Sequence, residues 1–229
     1  MNNFKDILKN SVNGSYCVYI LLIADIPANL ISLGVSYFNR ITANIITLSS
    51  FSLNLLSASF AINGDFFISS ILFYAGFLLD FVDGKIARLR NEASSFGKKL
   101  DMFVDRFGFM LISLAYLYYF LSNGIYFEAW ILILYSFIFF LYDIFQLTDN
   151  LSKDSSYNDN KRRIADYSPD KYLDIIKSFK RWFPSRLLTI FLMFSIAPIT
   201  NFSVVYSFCL FVLLIRFSRI MIIYFKHER

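Results

Sequence analysis

The chain has 229 residues, of which 57% are hydrophobic, 20% aromatic and only 17% charged, with a mean hydropathy of +0.53. This composition excludes an ordinary soluble domain and points to a polytopic membrane protein. The net charge of +5 does not indicate a nucleic-acid binder, because the basic residues lie between apolar stretches rather than along one soluble face. Cys17 and Cys209 lack metal-ligand spacing and read as small core residues, without a disulfide framework.

Residues 1–40 imitate a secretory signal, since Lys5 and Lys9 precede the apolar run YCVYILLIA. That run is short, is stopped by Asp25 and breaks at Pro27, so the expectation is one or two amphipathic helices in the membrane interface. Beyond it, six weakly charged stretches approach the ~20 residues that cross a bilayer. They cover residues 41–64, 66–79, 107–127, 129–145, 184–200 and 202–225, with Pro198 and Asn201 marking the last turn. The predicted fold is therefore all-α: six transmembrane helices, with an N-terminal interfacial segment (1–40) and a transmembrane domain (41–229) that includes a loop at about 147–183.

If those spans are right, Lys and Arg should alternate from one connection to the next. All 22 fall in or beside the N-terminal segment, the second and fourth connections and the C-terminal end, with Arg106 just before the third span. None lies in the turns near Asn63, Gly124 and Thr200. Both termini and the second connection are thereby predicted on the cytoplasmic side. The polar stretch from Asp149 to Asp170 reads as a solvated loop attracted to anionic lipid.

The segment DFVDGKIARLRNEASSFGKKLDMFVDRFGF, starting at Asp80, places four aspartates in an otherwise oily chain. From Asp65 to Asp80 a helix at ~1.5 Å per residue rises roughly 22 Å, which puts Asp80 below the membrane surface. Asp80, Asp83 and Ala87 share one helical face, and Asp101 and Asp105 share another. A short connection between Arg88 and Gly97 would set the two helices antiparallel, so that the four carboxylates converge. Four anions so close repel unless cations neutralise them, and carboxylate oxygens suit Mg²⁺, Mn²⁺ or Ca²⁺ in a two-metal site. Gly84 and Ala87 leave room for a ligand, and Arg88 offers a planar fork for phosphate. The pattern points to phosphoryl transfer, with one carboxylate accepting a proton.

Asp80, Asp83, Gly84, Ala87, Arg88, Gly97, Asp101 and Asp105 form the pattern D-x-x-D-G-x-x-A-R-x8-G-x-x-x-D-x-x-x-D. It resembles the signature of the CDP-alcohol phosphotransferases, also called CDP-alcohol phosphatidyltransferases. The resemblance implies that the four aspartates bind two divalent ions, Mg²⁺ or Mn²⁺, and that Asp105 also deprotonates the acceptor hydroxyl. It implies nucleotide contacts from Gly84, Ala87, Arg88, Ser94 and Gly97. Asn44 and Thr47 in TANIIT resemble the Asn and Thr that line the nucleotide pocket, although Ala43 stands where that segment usually begins with proline. It implies a homodimer.

Two other readings of the acids are local ion pairs, Asp83 with Arg88 or Asp101 with Lys98, and a cation pathway. Pairing does not require the glycine and alanine at their matching offsets, and a transporter would spread acids over several helices at midmembrane. A P-loop reading of FGKKL fails, because no glycine lies five positions before Gly97 and no Ser or Thr follows Lys98. His227 reads as a polar tail residue. Asp143, Arg186, Arg216 and Arg219 lie near the same membrane face and are candidate acceptor-binding residues. The expected activity is transfer from a CDP-alcohol, with CDP-diacylglycerol favoured as donor and a small polar acceptor, releasing CMP in phospholipid synthesis. A CDP-linked small alcohol with a lipid or glycan acceptor is the alternative. A bacterial inner membrane is the expected location.

Overall fold

A computed structural model describes residues 17–38, 40–90, 94–154 and 183–227, and every regular element among them is helical. In chain order they are α1 (Val18–Ser36), α2 (Ala43–Ile62), α3 (Phe66–Leu89), α4 (Ser95–Ser122), α5 (Tyr126–Asp154), α6 (Arg186–Ile196) and α7 (Phe202–His227). Helices α1 and α6 each contain a π-helical turn, Leu21–Asp25 and Leu192–Ile196. Lys5, Lys9 and the basic cluster from Lys161 to Arg181 lie outside the described residues.

Helix starts are set by capping chemistry. Thr42, Ser94 and Ser185 each accept a backbone N–H three residues on, from Ile45, Gly97 and Leu188. The turns joining α2 to α3 and α4 to α5 contain Gly64 and Gly124 at φ +83° and +72°, where a side chain would be strained.

By length and composition five helices suit a membrane crossing: Val18–Ser36, Ala43–Ile62, Phe66–Leu89, Tyr126–Phe145 and Phe202–Ile222. The count of six is not reproduced. Val18–Ser36 is long and apolar enough to cross, whereas the sequence pattern puts its residues in the interface. Helix α4 falls short because Lys98, Lys99, Asp101, Asp105 and Arg106 crowd its first three turns. Helix α6 is apolar but short. Helix α5 also runs past the expected loop start at Asp149 and ends at Asp154; residues 155–182 of that loop are not described.

Two apolar clusters hold the bundle. One joins α2 to α7 through buried Phe109, Tyr116, Phe120, Tyr135, Phe194 and Tyr206. The other joins Ile20, Ala24 and Ala28 of α1 to Phe77, Phe81, Val82 and Ile86 of α3 and to Leu188 and Phe191 of α6. Cys17 and Cys209 are free and buried, as expected of small core residues.

Helix α2 lies closest to α3 and α4, and small polar residues permit that approach. Ser50 donates to the Gly76 carbonyl at 2.8 Å, and Ser57 to the Ser69 carbonyl at 2.8 Å. A Cβ at Gly76 would stand 2.8 Å from Asn54 Oδ1 and 3.1 Å from the Ser50 carbonyl oxygen. The Asn54 amide can swing away, but the Ser50 backbone cannot. Gly76→Val should therefore cost about 1–3 kcal/mol by overpacking, visible as a lower thermal unfolding midpoint in detergent; an unchanged midpoint would show that α2 and α3 separate freely.

Candidate active site

Helices α3 and α4 both pack against α2, and the C-terminal end of α3 and the N-terminal end of α4 carry the motif aspartates together. Carboxylate oxygens of Asp80, Asp101 and Asp105 all lie within 4.8 Å of one another. Asp80 Oδ1 is buried with no hydrogen-bond partner among the described residues. Three convergent hard oxygens, one of them left unsatisfied, fit a divalent cation by size and chemistry. Burial, followed by the charges of Asp105 and Asp83, pushes the Asp101 carboxyl up to about 7, with Arg88 opposing the shift.

Asp83 stands apart from that trio. It is buried, and its Oδ2 accepts a 2.5 Å hydrogen bond from Thr47 Oγ1 on α2. Thr47, expected beside the nucleotide, is itself buried and fixes the Asp83 carboxylate from the neighbouring helix. Asn44, one turn earlier on α2, reaches the start of α4: a Cβ at Gly97 would lie 3.2 Å from Asn44 Oδ1 and 3.1 Å from Ser94 Oγ. The structure thus brings Asn44, Ser94 and Gly97 together. Arg88 is exposed and folds back over Gly84, where a Cβ would stand 3.3 Å from Nη1. Ala87, half-buried, keeps the intervening surface low.

A second charged group lies behind Asp105. Asp143 on α5 is buried and accepts from Arg106 Nε at 3.0 Å and from Arg186 Nη1. Each of its two oxygens thereby accepts from one guanidinium. Arg186 also lies over the Phe139 ring, 4.7 Å from its centroid. Arg216 donates to the Pro184 and Phe183 carbonyls at 2.7 and 3.4 Å, and Arg219 lies 5.0 Å from the Phe183 ring centroid. The segment at 183–186 therefore gathers Arg186, Arg216 and Arg219 on one side of the bundle.

The profile described as CDP-alcohol phosphatidyltransferase matches residues 40–159, more than half of the sequence. The chain belongs to the CDP-alcohol phosphatidyltransferase family. A curated relative, the CDP-diacylglycerol–serine O-phosphatidyltransferase of Helicobacter pylori, is 36% identical over 77 residues, which is 33% of this chain and 32% of that protein. The match thus spans about a third of that relative's length. Among solved structures, the phosphatidylinositol phosphate synthase of Mycobacterium tuberculosis with CDP-DAG bound shares the fold at a TM-score of 0.57. It is 14% identical, and the alignment covers 85% of this chain and 91% of that one. The apo form of the same synthase aligns at a TM-score of 0.56 with 14% identity, over 84% and 93% of the two chains. The matched range of the CDP-alcohol phosphatidyltransferase family contains Asn44, Thr47, all four motif aspartates and Asp143, whereas Arg186, Arg216 and Arg219 lie beyond it.

Arg106 does not stand out in the sequence as a site residue. Its signal is present nonetheless: a lone arginine at the head of a span requires a partner, and Asp143 is the acid at the matching end of the next helix.

Proposed function

We propose that this family member transfers a phosphatidyl group from CDP-diacylglycerol to a small polar alcohol and releases CMP. The convergence of Asp80, Asp101 and Asp105 at one end of α3 and α4 carries the reading. Supporting it are the family match and the grouping of Asn44, Ser94, Gly97 and Arg88 around the same end. The acceptor oxygen attacks the phosphorus distal to cytidine, the bond from that phosphorus to the CMP oxygen breaks, and Asp105 accepts the hydroxyl proton. Mg²⁺ or Mn²⁺ held by Asp80, Asp101 and Asp105, with Asp83 as the fourth ligand of a two-metal site, would supply Lewis-acid charge at the diphosphate. Asn44, Ser94 and Gly97 receive the nucleotide, and Arg88 balances phosphate charge from the end of α3.

In this reading residues 41–229 form the catalytic domain and residues 1–40 attach to it. The protein works as a homodimer in a bacterial inner membrane. The Lys/Arg distribution supports placing both termini and the aspartates on the cytoplasmic side.

Metal binding requires ionised carboxylates, and a proton held by Asp101 up to about pH 7 competes with it. Raising the pH deprotonates Asp101, so apparent Mn²⁺ affinity should increase about tenfold between about pH 6 and about pH 8. Electron paramagnetic resonance of unbound Mn²⁺ reads this directly, and a flat profile contradicts the assignment.

An anionic acceptor fits beside Arg106, Arg186 and Arg219. Arg219→Gln should raise the acceptor KM roughly tenfold with little change in the donor KM. Equal effects on both constants would remove Arg219 from the acceptor site.

A further inference from the structure

Helix α3 has a second charged face, turned away from the aspartates. Lys85 is almost fully buried, and its Nζ donates to Asp25 Oδ1 at 2.6 Å and to Asn29 Oδ1 at 2.7 Å on α1. Asp25 is 0% exposed and Asn29 4%, so this is an ion pair removed from solvent and reinforced by an amide. Lys85 lies two residues after Asp83 and five after Asp80. At ~100° per residue it projects roughly 200° and 140° away from them, on the opposite side of the helix.

Helix α1 is built to make this contact. Its backbone widens into a π turn over Leu21–Asp25, where Ile26 N–H bonds to Leu21 O. Such a turn inserts a residue and re-aims the side chains on its C-terminal side, and the last residue of this one is Asp25. Two further residues tie α3 to α1 and to the chain just after it, Tyr74 on the same face as Lys85 and Arg90 just past the end of α3. Tyr74 Oη donates to Ile23 O at 2.9 Å, and Arg90 donates to Val35 O at 3.1 Å, to Phe38 O at 2.9 Å and to Ile41 O.

A buried ion pair contributes little net stability compared with apolar packing, but it is directional. Apolar packing tolerates rotation of a helix about its axis; a lysine held by two oxygens does not. A small rotation of α3 would carry Asp80 out of reach of Asp101 and Asp105.

We propose that Asp25 and Asn29 are positioning residues: through Lys85 they fix the rotation of α3, so that Asp80 and Asp83 face the carboxylates of α4. The inference rests on the proposed metal-dependent reading of that cluster, and it assigns the N-terminal helix a part in metal binding.

The test uses full-length protein in detergent, with Mn²⁺ binding followed by electron paramagnetic resonance, thermal unfolding measured in parallel and CMP release as a third readout. The Asp25→Leu/Lys85→Met double variant removes both charges and leaves neither stranded, so its unfolding midpoint should stay near that of the wild type. Its Mn²⁺ affinity should nevertheless fall by roughly tenfold or more, as it does when groups supporting a metal ligand are removed. Asn29→Ala, which leaves the ion pair in place, should shift Mn²⁺ affinity the same way by a smaller factor, and it carries the test if the double variant does not fold. Mn²⁺ binding at wild-type strength in the double variant, or in Asn29→Ala where that variant stands alone, overturns the proposal, because the pair then serves stability only. A wild-type protein that binds Mn²⁺ but releases no CMP would refute the transferase reading and leave this inference standing. A wild-type protein that binds no Mn²⁺ overturns both.

Discussion

Replacing Asp105 with Asn is expected to lower turnover by on the order of a thousandfold, the scale of losing a positioned general base. The substitution keeps the shape of the side chain and removes its capacity to accept a proton, so helix packing has no reason to change. Among the three convergent carboxylates Asp105 is the most exposed, which places it where an incoming hydroxyl can reach it. Arg106, next in sequence, is held by Asp143, which keeps a positive charge near Asp105. Asp105→Asn protein should insert into membranes and unfold at the wild-type temperature while releasing CMP at a small fraction of the normal rate. Near-normal CMP release would remove Asp105 from the role of base.

The largest loss of stability is expected from Lys85→Met made alone. It leaves the Asp25 carboxylate buried with no counter-charge, and stranding one member of a buried pair costs about 3–5 kcal/mol. Asp25 Oδ2 already lacks a hydrogen-bond partner among the described residues, so loss of the lysine leaves the carboxylate still less satisfied. The unfolding midpoint in detergent should drop well below that of the wild type, and the Asp25→Leu change added to it should restore most of the loss. A Lys85→Met protein as stable as the wild type would show that Asp25 is neutral or reaches water.

The aspartate motif is legible in the sequence because its information is local: two pairs at helical spacing, flanked by residues small enough to leave the face open. The spans are legible to the extent that charge stays out of them. Where charge enters a span, as at the head of α4, length and composition lose it. Features that depend on contacts between distant residues stay hidden. Lys85 and Asp25 are 60 positions apart, and nothing in either local pattern names the other. In sequence Asp25 reads as the end of an apolar run; in the fold it is the counter-ion that the run carries to α3. By its motif Thr47 is expected at the nucleotide pocket, and in the fold its hydroxyl donates to Asp83 on the facing helix. Gly76 is ordinary in sequence and becomes restrictive only because Ser50 and Asn54 of α2 lie against it.

The most direct measurement of the central claim is CMP release from CDP-diacylglycerol by the purified protein, across a panel of small polar acceptors, before and after chelation. Release that needs an acceptor, stops with chelator and returns on adding Mn²⁺ or Mg²⁺ is the predicted result. Release indifferent to chelator, or no release from any cytidine-linked donor, would contradict the account.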